Sequence, residues 1–169
     1  MDFSFSEPEK MVQNAAREFA QRAVLPQAME IDRTAKFPLE LAREMGRMGY
    51  YGLAYPPEYG GNSTGYLGYA LVIEQLCRAS MTCGAIVGVS ILSEEALFHF
   101  GNERQKQEFL VPLTSGKVFG CFCFTEPATG SDPKAIATKA KLKGKYYIIE
   151  GQKSFIALAP LASLSLIHI

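Results

Sequence analysis

Through the first part of the chain, apolar residues recur every three to four positions, the spacing of helices that bury one face. Ser6-Glu7-Pro8-Glu9 reads as a capping box, with serine at the N-cap, proline in the first turn and glutamate three residues on. Behind it Val12, Ala15, Ala16, Phe19 and Ala23 make one apolar stripe, and Pro26 perturbs or ends that helix. A second helix starts near Pro38, turns Leu41, Ala42, Met45 and Met48 inward and stops at Gly49. The stretch YPPEYGGNSTG, Tyr55 to Gly65, is made of turn formers and predicts an ordered loop or tight connection. A third helix is expected over about Tyr66 to Arg78. A fourth, over about Thr82 to Phe100, is apolar on most sides and should be buried all round. Gly101-Asn102 then closes that helix and caps another, over Glu103 to Leu113.

From Lys117 the period drops to two. VFGCFCF is rich in aromatic residues, AIATKAKL alternates, and LKGKYYIIEG reads as a hairpin around a glycine turn. The expected fold class is therefore α+β, an all-α N-terminal domain over 1–115 followed by part of an antiparallel β-barrel or sandwich domain over 116–163. There is no internal repeat and no low-complexity segment.

Composition narrows the function classes. The 169 residues carry 17 basic and 17 acidic side chains, so net charge is zero, with no block of one sign. That argues against nucleic acid or an anionic membrane as the main partner. The longest apolar run, CGAIVGVSIL, is shorter than the ~20 residues a bilayer span needs. The opening MDFSFSEPEK is acidic and lacks an apolar core, so no secretory signal is read there. A soluble intracellular protein is expected. Cys77, Cys83, Cys121 and Cys123 fit no zinc spacing and read as free buried thiols, with Cys121 and Cys123 sharing a strand face. His99 and His168 have no ligand-spaced neighbour, and no metal site is expected.

One stretch carries more hydrogen-bonding groups than a turn requires. CFTEPATGSD, Cys123 to Asp132, lies where the helical pattern gives way to strands. Together with FAQRAVLPQAMEID, FPLELAREMGRMGYYGLAYPPEYGG, VIEQLCRAS and FGNERQKQEFLVPLTSGK, in that order and spacing, it resembles the acyl-CoA dehydrogenase family over nearly the whole chain up to Ser163. The resemblance implies a flavoenzyme that holds FAD between a middle β-domain and a C-terminal helical bundle. Such enzymes oxidise an acyl-CoA thioester to the trans-2-enoyl-CoA and pass electrons to electron-transferring flavoprotein. It also implies that Phe122, Cys123, Phe124, Thr125, Gly130 and Ser131 line the flavin, with the Thr125 hydroxyl at the pyrimidine edge. Ser131 would also touch the phosphopantetheine region of the substrate, and Gly130 would let backbone approach closely. Such donors are suited to the negative charge a flavin gains on reduction. Pro127 and Asp132 read as turn builders, and Glu126 as either a buried structural carboxylate or a flavin partner.

The second flavin segment is GQKSFIALAP, which makes Phe155, Ile156 and Ala157 flavin contacts by resemblance. Ala157 stands where the family commonly has Thr or Ser, and an alanine side chain donates no hydrogen bond. Phe124 and Thr129 also depart from the usual pattern. The fourth helix resembles the one lining the acyl pocket. There Gly84 and Gly88 either make room for an acyl chain or allow a neighbouring helix to pack closely. No residue is assigned as the catalytic base, because the family's glutamate lies in a C-terminal bundle this sequence does not reach. The closing LSLIHI, 164–169, reads as a translated sequencing adapter and a non-native tail. The resemblance further implies a homodimer or homotetramer. It places the protein in the cytoplasm if bacterial, or in the mitochondrial matrix if eukaryotic. Other flavin enzymes of the same fold, acyl-CoA oxidases among them, and a non-catalytic helical module are the competing readings.

Overall fold

The computed structural model describes residues 4–169; the first three residues of the acidic N-terminal stretch lie outside it. Helix α1 runs Glu7–Phe19 from a complete capping box. The Ser6 amide donates to Glu9 Oε2 at 2.6 Å, and the Glu9 amide to Ser6 Oγ at 3.5 Å. Pro26 does not end this helix but widens it. A π-turn, Ala20–Val24, and a short 3₁₀ turn, Leu25–Gln27, carry the chain into α2, Ala28–Thr34. The Leu25 amide reaches back five residues to Ala20 O. The wider turn clears the proline ring, which would otherwise strike the carbonyl four residues back.

The same device recurs later. Helix α6, Glu103–Gln105, passes through a π-turn, Lys106–Leu110, into α7, Val111–Thr114, with Pro112 just beyond the turn. The single helix read over Glu103 to Leu113 is thus three helical segments, for a reason visible in the sequence. Its start is as expected, an Asn102 cap with Gln105 reciprocating.

Helix α3, Leu39–Arg47, is followed by Gly49 at φ +74°. Helices α4, Gly65–Ala79, and α5, Met81–Phe100, form the centre of the helical part. Ala16, Phe19, Val72, Leu76, Cys83 and Val87 meet in the core. The two glycines read on α5 have different surroundings. A Cβ on Gly84 would sit 2.1 Å from Cys77 Sγ, so close packing of α4 explains it. A Cβ on Gly88 would meet nothing nearer than Ile73 Cδ1 at 3.7 Å.

Three expectations about burial fail. Met48 and Ala15 are exposed, because each lies at the margin of its helix's apolar stripe, beyond the reach of α4 and α5. Helix α5 is not buried all round: Met81, Leu92 and Phe100 are 73%, 51% and 89% exposed. By length and apolarity alone α5 would qualify as a membrane span, but its inner face, including Ile86, Val87, Ser93 and Leu97, is packed inside the protein.

Strand β1, Phe119–Cys123, leaves α7 and lies against α5, where Gly120 abuts Ser93. Strands β2, Lys139–Lys143, and β3, Tyr146–Glu150, form the antiparallel hairpin, with Gly144 at φ +64° in its turn. Strand β4, Ala162–Ile167, pairs with β1 in parallel, its residues alternating between half-buried and exposed. A parallel pair needs a long crossover, and the β2–β3 hairpin lies within it.

Candidate functional site

Strand β1 sorts its residues by face. Cys121 and Cys123 point into the protein, while Phe122 and, just past the strand, Phe124 point the other way, their rings stacked with centroids 6.0 Å apart. Phe122, Phe124 and Thr125 form one wall of a cleft of about 390 Å³. Phe155, Ile156 and Ala157 form the second wall, and Val89 and Leu92, from the exposed side of α5, the third. Six of the nine sequence-nominated contacts therefore meet in one place, from segments some thirty residues apart.

The other three do not line the cleft. The Cys123 side chain is buried on the opposite face, its Sγ 3.7 Å from that of Cys121, and burial pushes its thiol up to about 11. Alternation along the strand dictates this, since Cys123 lies between two outward phenylalanines. Gly130 and Ser131 are exposed on the turn beyond Thr125. Nothing among the described residues demands glycine at 130, because an added Cβ would meet only Thr125 Cγ2, at 3.8 Å.

Glu126 answers the question its position raised. Its carboxylate accepts from the Ala137 amide at 2.8 Å, the Thr138 amide at 3.0 Å, the Thr138 hydroxyl, and Lys153 Nζ at 3.0 Å. It is a structural carboxylate that accepts four hydrogen bonds, three at Oε1 and one at Oε2. The Thr138 hydroxyl first, then the Ala137 amide, hold its pKa down at about 2. The rest of the bend is tied in turn. Glu126 and Thr129 exchange backbone hydrogen bonds at 2.9 and 3.1 Å, and Thr129 Oγ1 donates to Asp132 O at 2.8 Å. Asp132 accepts from the Lys134 amide, the turn-building role expected of it. The Thr125 hydroxyl, by contrast, has no hydrogen-bond partner among the described residues and lines the cleft.

The second wall is held in unusual backbone conformations. Phe155 and Leu158 adopt φ +57° and +63°, a region that costs a non-glycine residue about 1 kcal/mol or more. The Phe155 ring is 96% exposed at the rim. A second cavity of about 380 Å³ adjoins the cleft through Val89 and Ala157. It is lined by apolar side chains of α5, with Phe37 and Leu158.

Sequence reading passed over the residues that tie Glu126 in place behind the cleft: Lys153 and Thr138, with Gly151 packed against Thr138. A Cβ on Gly151 would fall 2.2 Å from Thr138 Oγ1, so glycine is required there. A signal was present. Glu126 is the one charged residue between Val118 and Ser131, and Lys153 the one between Gly151 and Ile167. Two lone opposite charges in otherwise neutral segments ask for each other.

Comparison with known proteins places the chain in a family. A family model for the acyl-CoA dehydrogenase N-terminal domain matches residues 6–117, and one for the acyl-CoA dehydrogenase middle domain matches 121–168. The chain is 39% identical to a short-chain specific acyl-CoA dehydrogenase of Clostridium acetobutylicum, over 92% of this chain and 41% of that protein. It is 37% identical to a 3-(aryl)acrylate reductase of Clostridium sporogenes, over 94% of this chain and 42% of that one. A glutaryl-CoA dehydrogenase from Mycobacterium smegmatis, solved in complex with FADH2, superposes with TM-score 0.90 at 30% identity, over 95% of this chain and 42% of that chain. The chain thus spans about two-fifths of the length of these relatives.

Proposed function

Given that the chain belongs to the acyl-CoA dehydrogenase family, we propose that the whole protein is an FAD-dependent acyl-CoA dehydrogenase. The end of β1, the 155–157 segment and α5 would supply its flavin-facing walls. FAD, when bound, supplies the acceptor for the β-hydride of the thioester. The single observation that carries the reading is the convergence of Phe122, Phe124, Thr125, Phe155, Ile156 and Ala157 on one cleft.

The residues present suit a flat, partly polar heterocycle. Aromatic and aliphatic walls face each other across the cleft, and Thr125 brings a hydroxyl with no hydrogen-bond partner among the described residues. Thr125 would hydrogen-bond the flavin's pyrimidine edge, and Ser131 would contact the substrate's pantetheine arm. With alanine at 157, donors for the ring's central nitrogen must come from backbone amides or water. The adjoining apolar cavity along α5 would take the acyl chain and keep water from it. No carboxylate lines the cleft among the described residues, so the α-proton would go to a carboxylate elsewhere in the whole protein. Electron-transferring flavoprotein is the proposed electron acceptor, and a cytoplasmic or mitochondrial-matrix homo-oligomer the proposed form.

A second reading has a specific relative behind it. The 3-(aryl)acrylate reductase resemblance favours the same carbon–carbon chemistry run toward saturation. One experiment serves both. The full-length protein is loaded with FAD and mixed anaerobically with a panel of saturated acyl-CoAs, then, after chemical reduction, with enoyl-CoAs or arylacrylates. Bleaching of the visible flavin bands by a saturated thioester supports the dehydrogenase. Reoxidation only by an unsaturated acid supports the reductase, and neither response in a flavin-loaded protein refutes both.

A further inference from the structure

We infer that Lys153 is a positioning residue that locks the two flavin-facing segments to each other, an inference that rests on the flavin reading above. Its side chain is 11% exposed, and its ammonium donates to the Phe124 carbonyl and to Glu126 Oε1, each at 3.0 Å. The next residue repeats the link through the backbone, since the Ser154 amide donates to Thr125 O at 2.9 Å. Consecutive residues thus fasten the second wall of the cleft to the end of β1. The fastening falls directly before Phe155, the first of the strained residues that shape that wall. Glu126 extends the knot to Ala137 and Thr138, so three stretches of chain distant in sequence meet at one buried ion pair.

The chemistry of the pair makes the inference specific. A buried ion pair contributes little net stability, whereas removing one partner leaves a buried charge uncompensated. Without Lys153, Glu126 keeps only neutral donors and the Phe124 carbonyl loses its partner. The strained Phe155–Leu158 segment then has one backbone bond holding it to β1 where it had two links. Lys153 lines neither cavity wall, so it acts through Thr125 and Phe155 and not on the ligand.

The test compares wild type with Lys153→Met, Lys153→Arg, Glu126→Gln and the Glu126→Gln/Lys153→Met double variant, by amide hydrogen exchange and by FAD titration. Lys153→Met should speed exchange at Ser154 and Thr138 by on the order of tenfold or more, leaving α4 amides unchanged. It should raise the Kd for FAD by a similar factor. The double variant should bind FAD more tightly than Lys153→Met, because it removes the stranded charge, and Lys153→Arg should fall between wild type and Lys153→Met. Unchanged Ser154 exchange in Lys153→Met would overturn the inference. So would equal acceleration throughout α4, which marks a merely structural role. If wild type fails to bind FAD, the flavin reading falls and the exchange data alone judge the positioning. Should Lys153→Met not fold, Lys153→Arg carries the same exchange test.

Discussion

Replacing Glu94 by glutamine should stabilise the protein, and only above mildly acidic pH. Glu94 lies in the middle of α5 at 1% exposure, beside Glu95 and among Tyr51, Tyr55 and Tyr69. Its Oε2 is buried without a hydrogen-bond partner among the described residues. Burial, with Glu95 adding repulsion, raises its pKa to about 8. The unfolded chain therefore releases this proton near 4.5, while the folded chain keeps it until about 8. Between those values the unfolded state binds fewer protons, so stability falls as pH rises, and it levels off above about 8. At about 1.4 kcal/mol per unit, the ceiling on this loss is about 5 kcal/mol. Burying a carboxamide in place of a neutral carboxyl offsets part, leaving about 2–4 kcal/mol in favour of Glu94→Gln above pH ~8. Near pH ~4.5 the two proteins should agree within about 1 kcal/mol. Glu126 does not confuse the measurement. Its depressed pKa gives stability that is lost only as pH falls from the usual carboxylate range toward about 2. Urea unfolding followed by far-UV circular dichroism at several pH values reads the difference. A Glu94→Gln variant that is equally destabilised at every pH would refute the reasoning.

Gly84→Ala should destabilise by about 1–3 kcal/mol through its clash with Cys77, whereas Gly88→Ala, with room for a methyl, should stabilise α5 by about 0.5–1 kcal/mol; thermal unfolding of both checks the pair. Thr125→Val should leave the melting temperature unchanged while weakening FAD binding about three- to tenfold, the value of one net hydrogen bond, as read by flavin fluorescence. Phe155→Gly should stabilise the chain by about 1 kcal/mol by relieving the φ +57° strain, and at the same time lower FAD affinity. An unchanged affinity would remove Phe155 from the site.

The helical part was legible because its signals are local. The capping boxes at Ser6 and Asn102, the glycine stop at Gly49 and the apolar stripes all depend on residues within one or two turns. What escaped was whatever depends on partners far along the chain. Proline announced a break at position 26 and passed unread at position 112, where one helix was expected throughout; a wider turn accommodates each within a continuing helix. The exposure of Leu92 and Phe100 could not be read from α5, which is apolar on most sides; it depends on which neighbours cover it. In the site, strand alternation correctly pairs Phe122 with Phe124, and the same alternation should have excluded the Cys123 side chain. The Glu126–Lys153 knot and the parallel β1–β4 pairing join residues 27 or more positions apart, a distance at which periodicity is silent.

The most direct test of the cradle is to locate bound flavin by isotope-filtered NOEs on protein labelled at threonine and isoleucine methyls. The account predicts contacts from the flavin ring to the Thr125 and Ile156 methyls. Saturable FAD binding with ring contacts only to residues of α1 to α4, and none to Thr125 or Ile156, would contradict it.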